Sequence, residues 1–485
     1  MALDREYLRA MPESSHRSRW VSLFVLCLGD LMIVLDTTIV NVALPSIRAD
    51  LGFSEASLAW VVNAYLLTFG GFLLLGGRLG DLYGHRRLFV IGIALFTLAS
   101  LLCGLADGQG LLVAARALQG FGGAVVSAVA LSLMMTLFTE PAERARAMGV
   151  FGFVAAGGGS VGVLLGGILT GLLSWHWIFL VNVPIGIAVC ALSFVYLPPA
   201  RGKSQSRHLD VAGAITVTAA LMLAVYAIVN GNAAGWRSTQ TLGLLAAAGA
   251  LGAVFLVLET RVPAPLMPLR LFALRNLTVA NLVGVLWAAA LFAWFFLSAL
   301  YLQVVLGYTP LEVGLAFLPA NLIMASLSLG VSAQIVLRFG IKPPLVAGLL
   351  LAAASLALFA RAPVDASFLI DVLPGMILLG IGGGIAFNPV LLAAMSDVEA
   401  SESGLASGLV NTSFMMGGAL GLAILASLAD ARFDEITVAG GEHRAALTAG
   451  YHASFLLGAV VAALAALLST WLLRERGRAV AEVAE

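Results

Sequence analysis

The sequence predicts an all-α integral membrane protein, with about fourteen membrane-spanning helices in two six-helix bundles and one helix pair inserted between them. Composition, the length of the apolar runs and the placement of basic residues each lead there. Of 485 residues, 61% are hydrophobic and 11% are charged. A soluble globular chain carries about 25% charged residues. This chain lacks that polar coat, so most of its surface faces lipid.

A hydrocarbon core about 30 Å thick takes about 20 apolar residues of helix. Runs of that kind fall at 20–44, 57–77, 87–106, 109–132, 145–171, 176–197, 209–230, 240–259, 277–304, 311–337, 343–361, 367–395, 403–430 and 449–473. Only Asp107 and Gly108 separate the third run from the fourth, which begins at Gln109. Residues 1–19 are polar, and no small-residue cleavage site follows the first run. That run reads as a retained helix, not a signal peptide.

Basic residues orient the spans, because they gather in cytoplasmic loops. With the N-terminus in the cytoplasm, Arg48, Arg237, Arg361, Arg432 and Arg444 lie outside, and Arg116 falls within a span. All other Lys and Arg residues of the 26 are cytoplasmic. One wrong span in mid-chain would scramble that bias. The segment 1–19 and the tail 474–485 are both expected in the cytoplasm. Lysine occurs only at Lys203 and Lys342. That scarcity, with abundant alanine, glycine and leucine, points to a GC-rich bacterial genome and so to a bacterial cytoplasmic membrane.

The formal net charge is +0, which argues against nucleic acid as a partner. Cys27, Cys103 and Cys190 sit in apolar runs without metal-ligand spacing and read as small buried hydrophobes. No Walker-type loop occurs, and no loop is long enough for a soluble ATPase. An ion gradient, not ATP, is therefore the expected energy source, with no cofactor and no metal expected. Nucleophile elbows, zinc-protease motifs and catalytic carboxylate pairs do not stand out, so an enzyme is not expected. The expected working unit is a monomer.

The two bundles would span 20–197 and 277–473, with 209–259 inserted. An internal echo supports the division. The stretch LYGHRR (Leu82 to Arg87) matches RFGIK (Arg338 to Lys342), and glycines crowd the fifth helix of each half, at Gly157–Gly167 and Gly417–Gly421. Repeats with a site at their interface are common in secondary transporters.

Charges within the bilayer single out Asp30, Asp36 and Arg116, since each costs about 2.5–3.5 kcal/mol at a helix centre. Helical rise puts Asp30 about 15 Å and Asp36 about 24 Å from the cytoplasmic end, pointing about 120° apart. Asp30, Thr37 and Asn41 share a face; Asp36 lies to one side. Burial disfavours a charged carboxylate, so either aspartate can take a proton from one side and release it to the other. A static salt bridge or a capping contact is the alternative for each. Arg116, Gln119, Gly120, Gly123 and Ser127 share a face of the fourth helix. A guanidinium stays charged, so Arg116 needs a partner, and an aspartate of the first helix is the natural one. That pair is either part of the coupling or a fixed structural contact.

Gly158, Gly162 and Gly166 repeat every fourth residue and make a groove for close helix contact. Other polar residues in spans are Asn63, Asn182, Gln303, Asn321, Gln334, Asn388 and Asn411. Most such residues make interhelical hydrogen bonds worth about 0.6 kcal/mol each, and a minority line a cavity. The candidates for a substrate cavity are Asn41, Gln119, Gln303, Asn321, Asn388, Asn411, Phe414 and Met415. Trp287, Phe292, Trp294, Phe295, Phe296 and Tyr301 are expected at the lipid or in the interfacial belt; in a cavity they would suit flat, apolar or cationic ligands.

These motifs together resemble the fourteen-helix drug/proton antiporters of the major facilitator superfamily, over nearly the whole chain. LDTTIVNVALP (Leu35–Pro45) is similar to the signature of their first helix. GGRLGDLYGHRR (Gly76–Arg87) resembles the loop motif after helix two, with Gly77, Asp81, Gly84 and Arg86 matching. ARALQGFGG (Ala115–Gly123) resembles the helix-four motif, and GSVGVLLGG (Gly159–Gly167) the antiporter motif of helix five, so Gly158, Gly162, Gly166 and Gly167 take that role. WHWIFLVNVPIG (Trp175–Gly186) and YLQVVLGYTPLEVGLAFLP (Tyr301–Pro319) are similar to further blocks. Departures also stand out: Leu82 and His85 replace arginines, Val163 a proline, and Phe414 and Met415 an arginine and a glutamine. The last two imply a greasier substrate.

The resemblance implies the major facilitator fold, with Asp36, Asp30 and Arg116 in proton coupling. It implies alternating-access multidrug efflux of small amphipathic drugs or antibiotics. A dedicated exporter of one self-made antibiotic, lipid or metabolite is the runner-up. A less favoured reading is uptake of small polar solutes by symport; the single membrane arginine, against two acids, argues against organic anions as the solute.

Overall fold

Helix is the only regular structure among the described residues, which in this computed structural model are 16–138, 140–197, 209–263, 265–399 and 402–474. Most of the expected terminal segments 1–19 and 474–485 lies outside them. In chain order the long helices are α1 (His16–Leu51), α2 (Trp60–Tyr83), α3 (His85–Gly104), α4 (Gln109–Leu137), α5 (Pro141–Leu172), α6 (Asn182–Tyr196) and α7 (Val211–Ala234). There follow α8 (Thr239–Arg261), α9 (Arg275–Leu300), α10 (Pro310–Ser326), α11 (Lys342–Phe359), α12 (Leu373–Met395), α13 (Ser403–Val438) and α14 (His443–Leu472). One-turn helices Glu55–Leu58 and Trp177–Leu180 lead into α2 and α6.

Each predicted span has its helix. Among the described residues, twelve helices are long and apolar enough to cross a membrane, and shorter apolar segments at Val161–Leu172 and Pro310–Ser326 mark the other two. The latter is not a short rod. A π-turn at Leu327–Val331 carries α10 on into the helix Ser332–Phe339. Further π-turns extend α9 at Tyr301–Val305 and lead into α12 at Phe368–Val372. Helix α1 runs past the predicted 44 to Leu51 with Pro45 inside it, and α13 runs past 430 to Val438. Apolar run length marks only the part in hydrocarbon, so these wet ends were invisible to it.

The helix ends follow local chemistry. Thr309 and Glu312 form a reciprocal capping box before α10, and Asp210 accepts from the Gly213 amide at 2.7 Å to start α7. The tight loop between α2 and α3 turns on Gly84 (φ 95°), and its counterpart in the second half on Gly340 (φ 83°). Both need backbone angles that side chains rarely adopt.

Packing repeats between the halves. In the first, α5 lies on α1; in the second, α13 lies on α9. Glycine makes both contacts possible. A side chain at Gly158, Gly162 or Gly166 would collide with α1 at Val34, Leu35 or Ile39. One at Gly417, Gly418 or Gly421 would collide with Val285, Phe292 or Ala289 of α9. Two seams join the halves. At the first, Gly167 of α5 meets the Pro310 carbonyl (2.6 Å from an ideal Cβ), and Gly314 of α10 meets the Val163 carbonyl. At the second, Gly70 of α2 meets Met415 and Met416 of α13.

The inserted pair sits on the second seam. Helix α7 touches both α2 and α13: Gly71 packs on Thr218, and the Asn232 amide donates to the Ser427 carbonyl at 2.8 Å. Helix α8 is mostly exposed along its length.

One expectation fails. Trp287, Trp294, Phe296 and Tyr301 face neither lipid nor an interfacial belt; each is at most 1% exposed. Helix α9 is surrounded by α12, α13 and α14, so its aromatic face is core. Trp294 packs edge-on against Phe317 and Phe359.

Candidate functional site

The two aspartates of α1 sit in different surroundings. Asp36 points between α3, α4 and α6 and is fully buried. Its Oδ2 accepts from Arg116 Nη1 at 2.5 Å. Its Oδ1 accepts from Gln119 Nε2 at 2.7 Å and Asn182 Nδ2 at 3.2 Å. Both amides also reach the Ser100 hydroxyl, at 2.7 and 3.4 Å. A buried carboxylate thus has three donors, one of them a permanent cation, which is what burial of such a charge requires.

Arg116 is gripped as firmly. Its Nε donates to the Val61 carbonyl of α2 at 2.9 Å, and Nη1 also donates to Gln119 Oε1 at 2.7 Å. The guanidinium lies over the Tyr65 ring, 4.4 Å from its centroid, with Phe179 at 5.6 Å. One guanidinium therefore ties α1, α2 and α4 together, and through Asn182 the network includes α6.

Asp30 is 6% exposed and has a single donor among the described residues, the Ser127 hydroxyl at 3.3 Å. No basic side chain pairs with it among the described residues. Asn41 turns back on its own helix, toward the Thr37 and Thr38 carbonyls at 3.4 and 3.3 Å.

The remaining predicted positions scatter. Gln303, in the π-turn after α9, donates to the Val42 carbonyl at 2.9 Å and so bridges the two halves. Asn388 donates to the Ser328 carbonyl in the π-turn of α10 at 2.9 Å. Asn321 is 3% exposed and its amide nitrogen lacks a partner among the described residues. Asn411 is exposed. Phe414 forms an aromatic group with Phe292 (6.0 Å between centroids) and Phe387 (5.9 Å), and Phe387 is 46% exposed. Met415 lies next to Gly70 at the second seam.

In the loop motif, Arg86 donates to the Phe194 carbonyl at 2.5 Å and lies over the Phe194 ring. His85 Nε2 is 3.2 Å from Asp81 Oδ1, a contact at ion-pair distance without hydrogen-bond geometry. Gly77 has open space around it, with Ala128 4.0 Å from an ideal Cβ.

Sequence reasoning did not anticipate Ser100, Tyr65 and Phe179 as members of the Asp36 network. Asn182 carried a signal, as a polar residue in a span. Ser100 and the two rings carried none.

A membrane bundle of two similarly packed halves, with a buried Asp–Arg pair in the first, fits a known sequence pattern. The pattern of the Major Facilitator Superfamily matches residues 26–422. The chain belongs to this superfamily. It is therefore a multi-pass membrane protein of a transporter family acting on small molecules.

Within the superfamily the chain is 41% identical over 409 residues to the puromycin resistance protein pur8 of Streptomyces alboniger, covering 84% of this chain and 81% of that protein. It is 41% identical over 407 residues to the cephamycin export protein CmcT of Amycolatopsis lactamdurans, covering 83% and 84%. Identity to the lincomycin resistance protein of Streptomyces lincolnensis is 37% over 423 residues, covering 87% and 86%. Among solved structures, a bacterial homolog of the human lysosomal transporter Spinster superposes with a TM-score of 0.68 at 17% identity, covering 96% of this chain and 100% of that one. The xylose transporter XylE from E. coli gives 0.63 at 15%, covering 95% and 98%. These two share the fold.

Proposed function

We propose that this chain expels amphipathic antibiotics and dyes across the bacterial cytoplasmic membrane in exchange for protons, by alternating access of its two bundles. Its relatives named for puromycin resistance, cephamycin export and lincomycin resistance support efflux. The observation that carries the proton reading is the contrast on α1. Asp36 has three donors including Arg116, whereas Asp30 has one hydroxyl.

In this reading Asp30 exchanges the proton. A proton there cancels a buried charge that no cation among the described residues offsets, and its loss restores that charge. Asp36 and Arg116 act as the lock that senses the change, since Arg116 holds α1, α2 and α4 at once. The aromatic group of Phe292, Phe387 and Phe414, with Met415 beside it, offers flat apolar surface for substrate. Glycines of α5 let that helix slide on α1 and α10 as the halves rock. Arg86 and Asp81 hold the cytoplasmic loop.

The test uses a drug-sensitive host and proteoliposomes. Expression lowers accumulation of puromycin, lincomycin and an amphipathic dye, and an uncoupler restores it. Unchanged accumulation for every compound would sink the efflux reading. In proteoliposomes with an imposed pH gradient, Asp30→Asn abolishes gradient-driven exchange but keeps substrate binding. Normal exchange by that variant removes the proton role from Asp30. A narrower reading, export of one antibiotic, draws on relatives each named for a single compound. It predicts protection against one member of the panel only.

A further inference from the structure

A hollow of about 800 Å³ lies between α11 and α14, at the end of the second half where Arg361 and Arg432 emerge. It is far along the chain from the Asp36 network and shares no residue with it. Its size falls within the about 300–1,000 Å³ typical of small-molecule sites. Ala354 and Ala357 of α11 face Ala449 and Ala453 of α14 across it. Small side chains on both helices leave space that larger ones would close. Leu456 at its edge is 56% exposed, so the hollow opens outward, toward lipid.

Three basic side chains stand at this apolar space: Arg361, Arg432 and His452. By the sequence-derived orientation this is the side that carries only five arginines, and two of those five meet here. The turn that presents Arg361 is fixed by side chains from elsewhere. His452 Nε2 lies 2.8 Å from the Ala362 carbonyl, Tyr301 donates to the Pro363 carbonyl at 2.6 Å, and Arg444 donates to the Val364 carbonyl at 3.2 Å. The Ser367 amide donates to Asp371 at 2.8 Å and closes the far end. The exposed Arg361 guanidinium has no partner among the described residues. Arg432 spends one nitrogen on Glu435 at 2.5 Å, and a guanidinium has five N–H donors.

An apolar trough that opens to lipid and ends in two guanidinium groups matches an acyl chain ending in a phosphodiester. Guanidinium pairs phosphate with two parallel hydrogen bonds. We propose that this hollow seats one glycerophospholipid of the adjacent leaflet, its phosphate held between Arg361 and Arg432 and one acyl chain lying on the alanine floor.

The probe is palmitoyl-oleoyl-phosphatidylglycerol, titrated into the full-length protein in mild detergent and read by native mass spectrometry. The wild type takes up a first lipid with higher affinity than later ones. Arg361→Ala weakens that first event at least fivefold, and Arg361→Ala with Arg432→Ala makes it indistinguishable from later ones. Arg237→Ala, on the same side but away from the hollow, leaves it unchanged. Ala453→Leu fills the floor and weakens binding with both arginines intact; a melting curve checks that each variant is folded. Equal first-lipid affinity in the wild type and the double arginine variant overturns the proposal. So does a phosphate-free diacylglycerol that binds as tightly, or puromycin that displaces the lipid one for one.

Discussion

Replacing Arg116 by methionine removes the cation from the Asp36 network at nearly constant volume. The structure allows the cost to be worked out. Asp36 keeps Gln119 and Asn182 but loses its 2.5 Å charged donor, and the Val61 carbonyl loses its side-chain donor. Breaking a buried pair from one side costs about 3–5 kcal/mol, because a charge remains without a counterion. Removing both charges is different. In Asp36→Asn with Arg116→Met, the new amide oxygen accepts from Gln119 and Asn182, and its NH₂ reaches Gln119 Oε1, which Arg116 has vacated. The two changes therefore couple, by about 2 kcal/mol or more. Melting of the purified proteins in mild detergent gives the order: wild type highest, Arg116→Met lowest, the double variant between. A double variant no more stable than Arg116→Met would refute the argument that the stranded charge dominates. Both variants should lose transport, since the lock is gone in each.

Other changes test other parts of the reading. Gly162→Val drives a side chain into Thr38 and the Leu35 carbonyl, and overpacking of that kind costs about 1–3 kcal/mol; efflux is lost, while Gly159→Ala, with only a methyl 3.8 Å away, stays active. Equal activity of the two in a dye-efflux assay would show that the α1–α5 contact is not tight. Gly84→Ala forces a side chain onto a φ of 95°, at a cost of about 1–3 kcal/mol, read as a lower melting midpoint. Phe414→Ala removes two ring contacts, each worth about 0.5–1.5 kcal/mol. Equilibrium binding of a flat apolar dye is expected to weaken about fivefold, with Phe414→Tyr near wild type; an unchanged Kd would take Phe414 out of the substrate surface.

The arrangement of the inserted pair bears on how such a protein moves. Helix α7 bonds to α13 through Asn232 and packs on α2 through Thr218. It thus covers a seam whose two sides shift if the halves rock, while α8 is mostly exposed. Nothing in the hydropathy of 209–259 distinguished the two helices, because each is long and apolar enough to cross on its own.

The sequence by itself determined the number of spans, the charge that had to find a partner and the glycine faces. Those properties are local or additive: hydrocarbon thickness sets run length, and an arginine in lipid needs a counterion wherever it lies. The choice between Asp30 and Asp36 was not of that kind. Helical geometry placed them about 120° apart but could not say which face met α3, α4 and α6. The tertiary structure decided it, by bringing Ser100, Arg116, Gln119 and Asn182 to one carboxylate and only Ser127 to the other. It also moved the aromatic face of α9 from lipid to core, since hydrophobicity records a preference for leaving water and is silent on whether lipid or another helix receives the side chain.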